Sequence, residues 1–201
     1  MKEKTALSEV VKMLEDGFDI LNEKYFENTL SKSVITVQST PSAYGHFTCG
    51  KVWNLSEDEN AYEINLGAET LNREIEHVVA TLIHEMVHQF CAENDIKDCS
   101  RGNTYHNKRF KEQAEQRGLI ISYAEKIGWS VTQPTEELVE FVKGNELFQK
   151  IALSRTTVEK KRGKKKSSTR KYKCMTCGQS VRATKEVKVI CGECGINMVC
   201  C

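Results

Sequence analysis

Along the stretch from Asn72 to Phe90, NREIEHVVATLIHEMVHQF, apolar residues recur every three or four positions. Ile75, Val78, Val79, Leu82, Ile83, Met86, Val87 and Phe90 form a wide stripe of helical period, which predicts an α-helix with a buried face. Asn72 is the expected N-cap, and Glu74 and Glu76 place negative charge where the helix dipole favours it. The same period runs through Leu7, Val10, Val11, Leu14, Phe18, Leu21, Tyr25 and Phe26, predicting an amphipathic first helix over 6–28. Between the two helices, SVITVQST (33–40) is rich in β-branched residues and reads as a strand. SAYGHFTCGKVWN (42–54) reads as a second strand bending at Gly45 and Gly50, LSEDEN as a solvated turn, and AYEINLG as an alternating third strand. One helix, three strands and the long helix make an α+β order.

Beyond Phe90 the chain turns polar, with CAENDIKDCSRGNTYHNKRF predicting a loop of roughly a dozen residues, longer than a plain connector needs. A helix is expected from about His106 to Arg117, closed by Gly118. LIISYAEKIGWSVT reads as irregular or extended. PTEELVEFVKGNELFQKIAL reads as a helix begun by Pro134 and Thr135, with Gly144 as a break.

Polar residues interrupt the apolar stripe of the long helix at His84, Glu85 and His88. Four residues of helix amount to about 40° of rotation and about 6 Å of rise, so both imidazoles point the same way and can grip one cation. Glu85 projects beside them, placed to serve a water rather than the metal, which is the HExxH arrangement of zinc peptidases. Burying two imidazoles and a carboxylate in such a stripe without a partner is unfavourable. His77 lies on nearly the same face but about 10 Å back along the axis, so it is read as structural. A catalytic zinc takes three protein ligands and leaves a position for water. His106 is the best third ligand, since it opens a helix after a loop long enough to fold back, with Cys91, Asp95, Asp98, Cys99, Glu112 and Glu115 as competitors. Asn94 stands where a metzincin would need histidine, which excludes that class.

The 201 residues suit one modest domain plus an appendage. The net charge of +1 conceals an asymmetry: residues 1–159 hold 17 Lys and Arg against 26 Asp and Glu, whereas 160–201 hold 12 against 2. Any polyanion would therefore meet the C-terminal part first. No signal-type apolar core or membrane-length run is present, and four of the nine cysteines form two CxxC pairs, so a reducing, cytoplasmic (or nucleoid-associated) setting is expected.

Those pairs, Cys174–Cys177 and Cys191–Cys194, are thirteen residues apart, and a glycine follows each. That spacing predicts a four-thiolate structural zinc site of ribbon type, with VRATKEVKVI contributing to a small β-hairpin. Cys200 and Cys201 are read as free thiols, and Cys49, Cys91 and Cys99 as structural or incidental. The preceding EKKRGKKKSSTRKYK, with nine Lys and Arg, reads as a solvated linker. Lys164, Lys165, Lys166, Arg170, Lys171 and Arg182, with Lys185 and Lys188 nearby, are the candidate nucleic-acid contacts.

LNEKYFENTL, the glycine and aromatic of AYGHF, Trp53, AYEINL, LIHEMVH and YHNKRF together resemble the SprT-like family of zinc metallopeptidases, which includes Spartan-type eukaryotic proteases. The resemblance covers about residues 5–120 and implies a zincin-like fold with His106 as third ligand, followed at family spacing by the aromatic Phe110. It also implies DNA-bound or DNA-crosslinked protein as a substrate class, and ribbons like this one follow the core in many bacterial relatives. The chain departs from the family in flanking His106 with Tyr105 and Asn107 instead of glycine.

The sequence thus predicts an α+β, zincin-like metallopeptidase domain over 1–153, a basic linker over 154–171 and a β zinc ribbon over 172–201. His84, His88 and His106 would hold a catalytic zinc whose bound water attacks the peptide bond, Glu85 would act as general base, and Cys174, Cys177, Cys191 and Cys194 would hold a structural zinc. Polypeptide is the expected substrate and DNA an expected partner, with no membrane association and a monomeric state. The competing readings are a nucleic-acid-binding protein with a non-catalytic zincin-like domain, and a hydrolase of non-peptide amides. Tyr105 is a candidate oxyanion donor by proximity alone.

Overall fold

The computed structural model describes residues 6–40, 42–149, 155 and 169–201, which fall into two compact units, 1–157 and 158–201. The first unit is mixed α+β. Its opening helix α1 (Leu7–Phe26) buries Val10, Leu14, Phe18, Leu21 and Phe26. Strands β1 (Val34–Gln38), β2 (Gly45–Phe47), β3 (Trp53–Asn54), β4 (Asn60–Ala61) and β5 (Glu63–Gly67) follow. β1 and β5 pair in parallel, β2 pairs with β5 in antiparallel fashion, and β3 and β4 form a separate hairpin. The sheet order β1-β5-β2 puts the almost wholly buried β5 at the centre and β2 at an edge.

After the short 3₁₀ turn Ala68–Thr70 comes α2 (Ile75–Glu93). Val78, Val79, Leu82, Ile83, Met86 and Val87 are each at most 1% exposed, and burial of each contributes about 1.5–3 kcal/mol. The helix starts two residues later than the capping signal of Asn72 suggests: its N-cap is Glu74, because Arg73 is still held by the preceding turn through its N–H to the Thr70 carbonyl.

The segment after α2 departs further from expectation. The loop carries a two-strand ladder, β6 (Cys99–Ser100) with β7 (Tyr105–His106), so His106 lies on a strand and not at the head of a helix. Helix α3 (Lys108–Glu115) begins two residues later, capped by the Asn107 side chain, which accepts from the N–H groups of Arg109 and Phe110. The stretch read as irregular or extended is extended: a hairpin of β8 (Leu119–Ala124) and β9 (Gly128–Pro134), bulged between Ser122 and Tyr123. β9 also pairs in parallel with β7 through His106 and Gly128. Gly128 has φ +74°, and a Cβ there would lie 2.1 Å from the His106 carbonyl oxygen, so no other residue fits the crossing. Thr135 caps α4 (Glu136–Gly144), and α5 (Glu146–Gln149) follows the break.

The second unit has β10 (Arg170–Lys173) between β11 (Ser180–Ala183) and β12 (Val199–Cys200), both antiparallel to it. Its hairpin therefore joins 170–173 to 180–183, and most of the strand-like 184–190 lies outside any strand. Lys164, Lys165 and Lys166, with most of the expected linker, lie outside the described residues. None of the described helices is long and apolar enough to cross a membrane.

Candidate metal centre and active site

Helix α2 presents His84 and His88 one turn apart, and β7 brings His106 to meet them. The three Nε2 atoms form a triangle with sides of 3.2 Å (His84–His106), 3.3 Å (His84–His88) and 3.0 Å (His88–His106). Nitrogens about 2.0–2.1 Å from a tetrahedral zinc would stand about 3.3 Å apart, so the spacing fits such an ion.

The other ring nitrogens reveal which tautomer each histidine adopts. His88 Nδ1 lies 2.5 Å from the Asp98 carboxylate, and His106 Nδ1 lies 3.3 Å from the Ile127 carbonyl. Both partners only accept, so both Nδ1 atoms carry protons. His84 Nδ1 lies 2.8 Å from Thr132 Oγ1, whose own hydroxyl donates to the Ser130 carbonyl, so here too the ring donates. Each neutral ring is then left with a bare lone pair on Nε2, and all three lone pairs point at one another. No proton lies between them to relieve the repulsion; a cation would. Burial holds the His84 imidazole well below its ordinary pKa and brings His106 down to about 4, with the neighbouring imidazoles adding to both shifts. Those two rings therefore stay unprotonated and ready to ligate at neutral pH.

Phe110 of α3 closes the site from behind, its ring centroid 4.5, 4.6 and 4.7 Å from those of His84, His88 and His106. Glu85 is 6% exposed, and burial raises its carboxyl to about 7 against the opposing pull of His88 and of the Phe47 backbone N–H. Strand β2 passes so close that a Cβ on Gly45 would sit 2.7 Å from Glu85 Oε1. Glu85, Gly45 and the three histidines line a cavity of about 1450 Å³ that also includes Tyr44, Arg73, Thr81, Asp98 and Ser130–Gln133.

Among the described residues none of the competitors joins the three imidazoles. Asp98 supports His88 from the far side of the ring, Cys91 is buried in the core, and Glu115 pairs with Lys111. Cys99 gathers with His88 and Asp98 in a lesser cluster, and burial pushes its thiol far up. His77 faces Glu74 at 3.8 Å, outside the triad. Tyr105 directs its hydroxyl to that of Tyr123, 3.1 Å away, so it is not aimed at the site. Sequence reasoning missed Thr132, the Ile127 carbonyl and the supporting role of Asp98, because those partners arise from tertiary pairing and carry no local motif.

In the second unit the Sγ atoms of Cys174, Cys177, Cys191 and Cys194 lie within 4.8 Å of one another. The two CxxC turns have the same construction: Gly178 and Gly195, at φ +78° and +65°, donate to the carbonyls of Cys174 and Cys191. The Cys177 and Thr176 backbone N–H groups help bring the Cys174 thiol down, favouring its thiolate, while hydrogen bonding to Cys177 and the other thiols pushes that of Cys194 up. Cys200 and Cys201 are exposed and stand outside the cluster. Arg170, Lys171 and Arg182 are exposed on β10 and β11.

Comparison with curated proteins and with solved structures gave no match. The SprT-like family model matches residues 14–126, more than half of the chain and the whole span from within α1 to the start of the β8–β9 turn. That span contains His84, Glu85, His88 and His106, and the chain belongs to the SprT-like family.

Proposed function

We propose that this protein is a zinc-dependent endopeptidase with a zincin-like catalytic domain, and that His84, His88 and His106 hold the ion while Glu85 moves the proton. The observation that carries this reading is the convergence of three imidazole Nε2 atoms, 3.0–3.3 Å apart, beside a buried carboxylate. Bound zinc supplies a Lewis acid for the scissile carbonyl and lowers the pKa of a water molecule from 15.7 to about 7. Glu85, buried beside the imidazoles, would take a proton from the attacking water and return it to the departing amine. Asp98, Thr132 and the Ile127 carbonyl hold the imidazoles in the ligating tautomer, and Phe110 keeps water away from their rear faces. Strand β2 pairs on one side only, so its outer edge can receive an extended polypeptide as an added strand.

The cysteine cluster of the second unit suits a structural zinc, because two matching knuckles supply four thiolates. Lys171 and Arg182 sit directly opposite each other across β10 and β11, a like-charge pair that a polyanion would relieve. This supports nucleic-acid contact by the ribbon; protein bound to DNA as substrate class and a cytoplasmic monomer as working form complete the proposal. The decisive test is Glu85→Gln. The variant should keep two zinc ions per chain and lose cleavage of unfolded protein; turnover at the wild-type rate would refute the role of Glu85.

A further inference from the structure

Arg73 is a half-buried cation in the wall of the same cavity. Its guanidinium donates from Nε to the Thr70 carbonyl at 2.9 Å and from Nη2 to Thr81 Oγ1 at 3.0 Å. The group also lies over the Tyr44 ring, 4.1 Å from the centroid. Three contacts thus fix its plane, while among the described residues three of its five N–H donors have no hydrogen-bond partner. Among the described residues no carboxylate pairs with it. Glu69, the acidic neighbour in the cavity wall, is held by Ser39 at 2.6 Å and by Arg155 at 3.8 Å. A preorganised guanidinium without a counter-ion suits a planar anion held by paired hydrogen bonds.

Its position relates it to Glu85. Thr81, which holds Arg73, lies one turn before Glu85, and the two side chains crowd the same point above Gly45. The guanidinium is therefore no more than about 11 Å from the Glu85 carboxylate, or three residues of extended chain. Tyr44 and Gly45 lead directly into β2, so a polypeptide laid along that edge passes Arg73 on its way to the imidazoles.

We infer that Arg73 and Tyr44 form a subsite for a carboxylate of the polypeptide substrate, and so make acidity within three residues of the cleaved bond a determinant of specificity. The inference rests on the peptidase reading for its substrate class, but its test is binding and needs no turnover. The probe is a set of fluorescent nine-residue peptides, each carrying one Glu or the matching Gln at successive positions, with free or amidated C-termini. Zinc-loaded Glu85→Gln protein serves as receptor, and anisotropy reads the affinity. One register of Glu over Gln should bind about ten-fold tighter, a difference typical of a charge-assisted pair. That preference should vanish in Glu85→Gln/Arg73→Gln, which keeps a donor for Thr70, and shrink in Glu85→Gln/Arg73→Lys, which keeps charge without the fork. If the gain follows the free C-terminus instead, the carboxylate recognised is the chain end. Equal binding of Glu and Gln peptides in every register and of both termini, or a preference that survives Arg73→Gln, would overturn the inference. Failure of zinc-loaded Glu85-containing protein to cleave any of these peptides would count against the peptidase reading alone.

Discussion

Replacing Gly45 with alanine tests the link between the edge strand and the proposed proton carrier. A Cβ at this position would lie 2.7 Å from Glu85 Oε1 and 3.0 Å from both Glu85 Cγ and Thr81 Cγ2. Carbon contacts relax only near 3.5–4.0 Å, so something must yield by about 0.5–1 Å. Strand β2 is pinned to β5 through Gly45–Leu66, His46–Asn65 and Phe47–Ile64, and the α2 backbone is buried beneath it. The softest response is rotation of the Glu85 side chain. Overpacking of this kind costs about 1–3 kcal/mol of stability, which a folded domain tolerates. A shift of about 1 Å in a reacting group lowers rate about 100-fold. Gly45→Ala should therefore fold, hold its zinc and lose about two orders of magnitude in kcat on an unfolded protein substrate. Gly50→Ala is the control, because a Cβ there meets nothing within 4 Å, and it should match wild type. A Gly45→Ala protein with full zinc and full kcat would refute the argument that this contact sets the position of Glu85.

Asp98→Asn and Thr132→Val each disturb a group that receives an Nδ1 proton, and each should weaken zinc binding at the triad about 10–100-fold in a chelator competition, leaving the ribbon zinc in place. In metal-free protein His84 and His106 bind fewer protons folded than unfolded between about pH 4 and 6.5, so they make stability rise with pH there; Glu85, raised to about 7, opposes that rise from about pH 4.5 upward. Tm followed by tryptophan fluorescence, with Trp53 and Trp129 both in the first unit, should climb between pH 4.5 and 6.5, and more steeply in Glu85→Gln; a flat profile would contradict the depressed imidazoles. Cys177→Ser should remove one zinc per chain and unfold the second unit while leaving the tryptophan-reported transition unchanged, and a shift in that transition would show that the two units are not independent.

Helix α2 was legible because its apolar period and its three polar interruptions share one short segment. Loop length made His106 the best third ligand and the family resemblance decided it over several acidic and thiol competitors, but the helix expected to open at His106 begins at Lys108 and His106 itself lies on a strand. The β8–β9 stretch was legible only as irregular or extended, because its bulge at Ser122/Tyr123 breaks the alternation that marks a strand and so hides the pairing. Asn72 misled because a capping residue is a local signal, whereas the 3₁₀ turn that holds Arg73 postpones the helix. Thr132 offered nothing to read, since a hydroxyl becomes a ring's partner only when a distant strand delivers it.

The crossing of Gly128 over His106 has a consequence for biosynthesis. Two imidazoles are in place once α2 has formed, but the third is oriented by the Ile127 carbonyl and by a strand that begins more than twenty residues after it. A nascent chain still lacking that strand offers the ion only a two-point grip. Metal capture at the triad, and the hydrolysis proposed for it, would thus begin only after this strand has been made, which would spare shorter nascent chains on a polysome from digesting their neighbours.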